Sequence, residues 1–125
     1  MIDFENGAVF KLKPIETSKA REDFHKFLIE GELIFAAFKT VRDQLVFTNK
    51  RVISANVQGI TGSKVDYTSL PYSKIQAFSV ETSGTLDLDC EIEFYLSELG
   101  RVRFEIRGSF DLLAFNKLIS EYVLA

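Results

Sequence analysis

Four carboxylates at every second position, Asp87, Asp89, Glu91 and Glu93, form the densest run of reactive side chains in this 125-residue sequence. That spacing suits a hard cation or a carboxylate pair for acid–base work. A hard cation takes roughly 6–8 oxygens converging from several directions, whereas a strand presents a flat row. The segment that follows supplies arginines to lie beside it, so a solvated, ion-paired sheet face is the preferred reading. His25 is the only histidine and falls on the polar side of a helical pattern, away from any nucleophile. Cys90 alternates with apolar residues and reads as a small core hydrophobe. Gly59 to Gly62, "GITG", resembles a phosphate-clamping loop but lacks the strand-to-helix context such loops need. No catalytic residue, metal ligand or cofactor site is assigned. The remaining candidate is basic: Lys50-Arg51 in "LVFTNKRVI", with Arg42 and Lys39 upstream. The connection "KTVRD" is short and contains Asp43, so it offers no basic cradle for a phosphate. Arg42, Asp43, Lys50 and Arg51 are taken as a candidate surface for contact with a protein partner.

Composition narrows the field. A net charge of −3 argues against nucleic acid, whose binders carry a basic excess. The aromatic load is 12 Phe and 4 Tyr without Trp, which points to packing. One cysteine excludes an internal disulfide and suits a reducing compartment. No apolar run approaches the ~20 residues of a membrane-spanning helix, and the N-terminus lacks the pattern of a signal peptide. The expectation is a soluble cytoplasmic chain forming one domain over residues 1–125.

Periodicity supplies the elements. Residues 1–31 read as an N-terminal arm and helix. Asn6-Gly7 suits a hairpin loop, although so short an arm is equally one ordered by contact with something else. "TSKAREDFHKFLIEG" places Ala20, Phe24, Phe27 and Leu28 on one helical face, with Thr17 or Ser18 as cap and Gly31 as terminator. Residues 32–108 read as about seven strands. The clearest, "LDLDCEIEFYL", alternates from Leu86 to Leu96. "VRFEI" mirrors it, which would set an acidic stripe beside a mainly basic one. Residues 109–124 read as a closing amphipathic helix that Ser109 can cap, with Leu112, Phe115, Leu118, Ile119 and Tyr122 on its apolar face.

Three stretches, "VRDQLVFTNKRVI", "QGITGSKVDYTSLPYSKI" and "FSVETSGTLDLDCEI", resemble the bacterial pleckstrin-homology-like domain family in content and order. The resemblance covers most of Val41 to Ile92 and is weaker over the first 16 residues. It implies a mainly β, α+β fold: a seven-stranded antiparallel sandwich or barrel of two nearly orthogonal sheets, capped by the last helix, with a short N-terminal helix. It also implies a closed homo-oligomeric ring, five-fold for a single-domain member, and a role in protein interaction without enzymatic activity.

One pattern exceeds a plain sandwich. "LIFAAF", Leu33 to Phe38, is apolar on both faces, as are Leu45–Phe47 and Val52-Ile53. Something must cover the second face. The choices, which are not exclusive, are the helix carrying Phe24, Phe27 and Leu28, or a second copy of the chain. Ile34, Phe35 and Phe38 are therefore the candidate subunit interface. The functional expectation is a non-enzymatic interaction module that forms a cyclic homo-oligomer and presents a polar surface to an unidentified protein. The alternative is a peripheral module that binds anionic lipid, or a small ligand in a sheet cleft. The weak basic signal disfavours lipid.

Overall fold

The computed structural model describes residues 1–84 and 88–125. Strand β1 (Ala8–Ile15) leads through a 3-10 turn (Thr17–Lys19) to helix α1 (Glu22–Phe27). Four strands follow: β2 (Ile34–Lys39), β3 (Gln44–Thr48), β4 (Arg51–Gln58) and β5 (Lys64–Pro71). A second 3-10 turn (Tyr72–Lys74) leads to β6 (Ile75–Thr82), β7 (Cys90–Leu96), β8 (Gly100–Ile106) and helix α2 (Leu112–Val123). The mainly β, helix-capped class is as expected. Among the described residues the strands number eight, in the order β5-β4-β3-β2-β1-β8-β7-β6.

The additional strand is the supposed arm. β1 pairs antiparallel with β2 and parallel with β8, so the two expected sheets are joined through it, and the pairing is not purely antiparallel. Its alternation explains the placement: Phe10 and Leu12 are buried while Val9, Lys11 and Lys13 face water. Asn6-Gly7 belongs to a turn, not a hairpin. The Asp3 carboxylate accepts from the Asn6 amide and side chain, and the Gly7 and Ala8 amides bond back to Phe4 and Asp3. That turn sends Ile2 and Phe4 into the main core. Gly100 makes room for it, since its φ of +123° is disfavoured for other residues and an added Cβ would collide with the Phe4 carbonyl.

Each side of the β2–β5 half has its own apolar cluster. The main one centres on Phe47, whose ring lies 4.9–6.4 Å from those of Phe35, Phe38, Phe94, Phe104 and Phe115. α2 closes it with Leu112, Phe115 and Ile119, and its N-cap is Asp111, not Ser109. The second cluster places Phe24 of α1, fully buried, over Ala37, Val46, Ile53 and Ala55. Burial on two sides is why those strands do not alternate. Within the chain the helix covers this face, which leaves the second of the two choices open because they are not exclusive.

Three boundaries differ from the sequence reading. The expected helix from Thr17 to Gly31 is only Glu22–Phe27, because Ala20 and Arg21 are extended and Leu28 leaves the helix. A register shift between Ile34 and Ala36 breaks the alternation of β2, so Phe35 joins Phe38 in the main core while Ile34 packs with α1. β7 begins at Cys90; Leu88 is exposed in a bend, and Leu86 and Asp87 lie outside the described residues.

Replacing Gly100 by alanine is expected to destabilise the chain by roughly 3 kcal/mol, since the contact is with backbone that has little freedom to move. Urea titration with circular dichroism reads the change. Wild-type stability in that variant would refute the packing described for the N-terminal turn.

Candidate functional site

The basic knuckle that drew notice in the sequence is the Asn49-Lys50 turn between β3 and β4. Thr48 organises it. Its hydroxyl oxygen accepts from the Lys50 and Arg51 amides, each at 3.0 Å, and donates to Glu32 Oε2 at 2.6 Å. Below it, the Tyr72 hydroxyl donates to the Thr48 carbonyl at 2.6 Å.

Glu32 is the buried charge of this corner; its side chain has no solvent exposure. Arg51 meets it with two parallel bonds, Nε to Oε2 at 2.9 Å and Nη2 to Oε1 at 3.0 Å. The Ile29 amide adds a bond to Oε1 at 3.1 Å. Burial pushes the Glu32 carboxyl up, but the bonds from Arg51, Thr48 and Ile29 outweigh it and hold the carboxyl below its ordinary value. Arg51 spends its remaining donors on the Phe27 carbonyl and the Ser69 hydroxyl. Asn49 ties in the same connection, donating to the Gly31 carbonyl and accepting from the Leu33 amide.

These bonds immobilise residues 27–33, which have no regular secondary structure beyond the end of α1. The segment displays Phe27, Ile29 and Leu33, the last 72% exposed. Phe27 rests on Tyr67 with ring centroids 4.7 Å apart. A comparable display lies at the opposite end of β2, β3 and β4. There Arg42 of the β2–β3 turn donates to the Gly59 carbonyl in the β4–β5 turn. Asp43 accepts from the Val57 amide and from Asn56. Val41 and Ile60, fully exposed, stand at the tips of these two tied turns.

The four residues proposed as one partner-contact surface therefore split. Arg42 and Asp43 lie at one end of β3 and Lys50 and Arg51 at the other, separated by a strand roughly 17 Å long. Arg51 and Asp43 are structural, Arg42 ties two turns, and Lys50 is exposed. Of the proposed subunit interface, Phe38 is 1% exposed inside the chain's own core and Phe35 packs against Phe47, Phe115 and Tyr122. Ile34 packs with the second cluster.

The other candidates also have defined places. Glu93 pairs with Arg103 at 2.9 Å, but Glu91 faces Glu105, so the stripes are not uniformly opposite in charge. Asp89 accepts from the Gly108 amide, and Asp87 lies outside the described residues. Burial, with Asp89 nearby, pushes the Cys90 thiol up to about 11, which leaves it protonated and a poor nucleophile at neutral pH. His25 is exposed on α1, and Gly59 and Gly62 turn the chain between β4 and β5. Among the described residues, no group of three His, Cys, Asp or Glu side chains is placed to hold a metal ion. No helix there is long and apolar enough to cross a membrane.

Known proteins are similar to this chain in sequence and fold. A family profile described as "Bacterial PH domain" matches residues 3–123. Uncharacterized protein YjqA of Bacillus subtilis is 45% identical over 94 residues, 75% of either chain. Among solved structures, a DUF1696 family protein with a pleckstrin-homology domain from Shewanella loihica superposes with a TM-score of 0.73. It is 31% identical over 91% of this chain and 98% of its own. The pleckstrin homology domain from Shewanella amazonensis gives 0.62 at 37% identity, covering 89% of this chain and 90% of its own.

The buried pair sets an acid limit. Because the folded Glu32 carboxyl titrates below its ordinary 4.5, its contribution is complete above that pH and is lost as pH falls through the lower folded value. Glu32→Ala is expected to cost about 3–5 kcal/mol at pH 7, by leaving Arg51 unpaired. The stability of Glu32→Gln should fall less steeply below pH 4.5 than that of the wild type. Denaturant titrations between pH 3 and 7 test both, and parallel pH profiles would exclude Glu32 as the titrating group.

Proposed function

The chain belongs to the bacterial PH domain family, and from that premise we propose a non-enzymatic protein-interaction module that assembles head to tail into a closed ring of copies. The observation that carries this reading is the pair of apolar displays at opposite ends of β2, β3 and β4: Phe27, Ile29 and Leu33 at one, Val41 and Ile60 at the other. Exposed apolar side chains on segments held by hydrogen bonds are suited to binding, because little conformational freedom is left to lose. Two different surfaces facing opposite ways make a heterologous contact, which closes into a ring when the rotation between copies permits. The interface is thus placed on loops, in preference to the buried Phe35 and Phe38. The polar outer face of β6, β7 and β8 remains free in such a ring to meet another protein. The polar groups of the β3–β4 corner are occupied within the fold, which favours binding over catalysis as its use.

Size exclusion with light scattering tests the ring. The wild type is expected to elute at several times the chain mass of 14.2 kDa. Val41→Asp/Ile60→Asp, at fully exposed positions, should stay folded by circular dichroism and elute as the monomer. A monomeric wild type at all concentrations, or an unchanged mass in the double variant, would defeat the proposal.

A further inference from the structure

We infer that β6 is a docking edge for an extended segment of another polypeptide, one that alternates apolar and basic residues. This gives a chemistry to the partner proposed above and rests on the binding part of that reading, not on the ring. Among the described residues β6 ends the sheet, with β7 on one side and no strand on the other. An edge strand presents a row of unpaired amides and carbonyls, which proteins usually blunt with lysine, proline, bulges or a covering element. Ile75–Thr82 is eight residues long, contains neither lysine nor proline, and shifts register only at its start, between Ile75 and Ala77. Gln76, Ala77, Ser79, Glu81 and Thr82 are exposed. The opposite edge differs: β5 carries Lys64 and Pro71, and the Met1 ammonium pairs with its Asp66 at 3.0 Å.

The two faces of β6 define what an added strand must bring. On the inner face Phe78 and Val80 are only partly buried against the main core, so inward residues of the newcomer must be apolar to complete their cover. On the outer face the register sets one row across four strands, Lys11, Glu105, Glu91 and Glu81. Like charges directly opposite one another disfavour such pairing. Cations relieve the first part of the row: Arg107 lies 3.5 Å from Glu105 and Arg103 lies 3.9 Å from Glu91. Glu81 ends the row at the open edge and makes no ion pair among the described residues. A lysine or arginine on the next strand would give Glu81 the neighbouring cation that Glu105 and Glu91 already have. Main-chain bonds then supply affinity and the side-chain pattern supplies selectivity.

The test uses the isotope-labelled full chain and three synthetic octapeptides: alternating Val and Lys, the same peptide with every amide N-methylated, and alternating Val and Glu. The Val–Lys peptide is expected to give saturable amide shifts and new hydrogen-exchange protection within Ile75–Thr82. The N-methylated peptide should do neither, and the Val–Glu peptide should bind at least fivefold more weakly. Glu81→Lys, at an exposed position, should weaken the Val–Lys peptide roughly fivefold and strengthen the Val–Glu peptide. Equal binding of the N-methylated peptide, or shifts at Glu91 and Glu105 without protection of β6, would overturn the inference. So would protection of β6 in the free protein that is lost on dilution, because the edge would then belong to a second copy. Light scattering on the same samples separates the two proposals. A ring that ignores the Val–Lys peptide overturns the edge alone, and a monomer that binds it overturns the ring alone.

Discussion

The ion pair between Glu32 and Arg51 ties together parts of the chain that no sheet ladder joins. It sits where the α1–β2 connection crosses the β3–β4 turn, and its satellites reach Thr48, Ser69, Phe27 and Ile29. Removing a carboxylate from water is costly, and attraction to a guanidinium repays this only when the remaining lone pairs are satisfied. Here both carboxylate oxygens accept two bonds each. The pair therefore acts less as a source of net stability than as a pin. Any displacement of the connection relative to the hairpin would strand a buried charge.

The pin decides where α1 sits. Arg51 holds the carbonyl of Phe27, the last residue of the helix, and so keeps Phe24 over the hollow left by Ala37 and Ala55. A helix of six residues has almost no intrinsic stability, so its order comes from this tether and from the burial of one ring. Burying that ring contributes about 1.5–3 kcal/mol, a large fraction of the roughly 5–15 kcal/mol by which folded domains are stable. One electrostatic contact thus sets both the outer apolar cluster and the rigid display of Ile29 and Leu33.

Much of this fold was legible in the sequence. The alternation of Cys90 to Leu96 and of Val102 to Ile106, the hairpin at Asn49-Lys50 and the stripe on α2 are local patterns that survive folding. The misreadings share a cause, which is a local signal overridden by a distant one. "AVFKLKP" alternates as a strand should, yet within residues 1–31 it reads as part of an arm, because its strand partners lie far along the chain. Ala20, Phe24 and Leu28 do share one cluster, but an extended step at Ala20 and Arg21 replaces the continuous helix their spacing implied. The site was less legible. In the sequence Glu32 merely opens the strand region and Arg51 reads as a partner contact, and only the fold brings them together. A charge opening a run such as "RVIS" was the one available hint, since a cation entering buried surroundings needs a partner.

The parallel pairing of β1 with β8 has a consequence for how the chain is made. Synthesis proceeds from the N-terminus, so Phe10 and Leu12 emerge long before Val102, Phe104 and Ile106 exist to receive them. Until then one edge of β1 lacks its neighbour and half the main core lacks a wall. Within the β2–β5 half each ladder joins strands that are neighbours in sequence, so those ladders need nothing from the later strands and have α1 already in hand. The sheet joins up only after β8 has been made, at a step dominated by closure of the long loop between β1 and β8. The first strand to be made is thus among the last to be paired on both edges, and the joined sheet waits on the strand most distant from it in sequence.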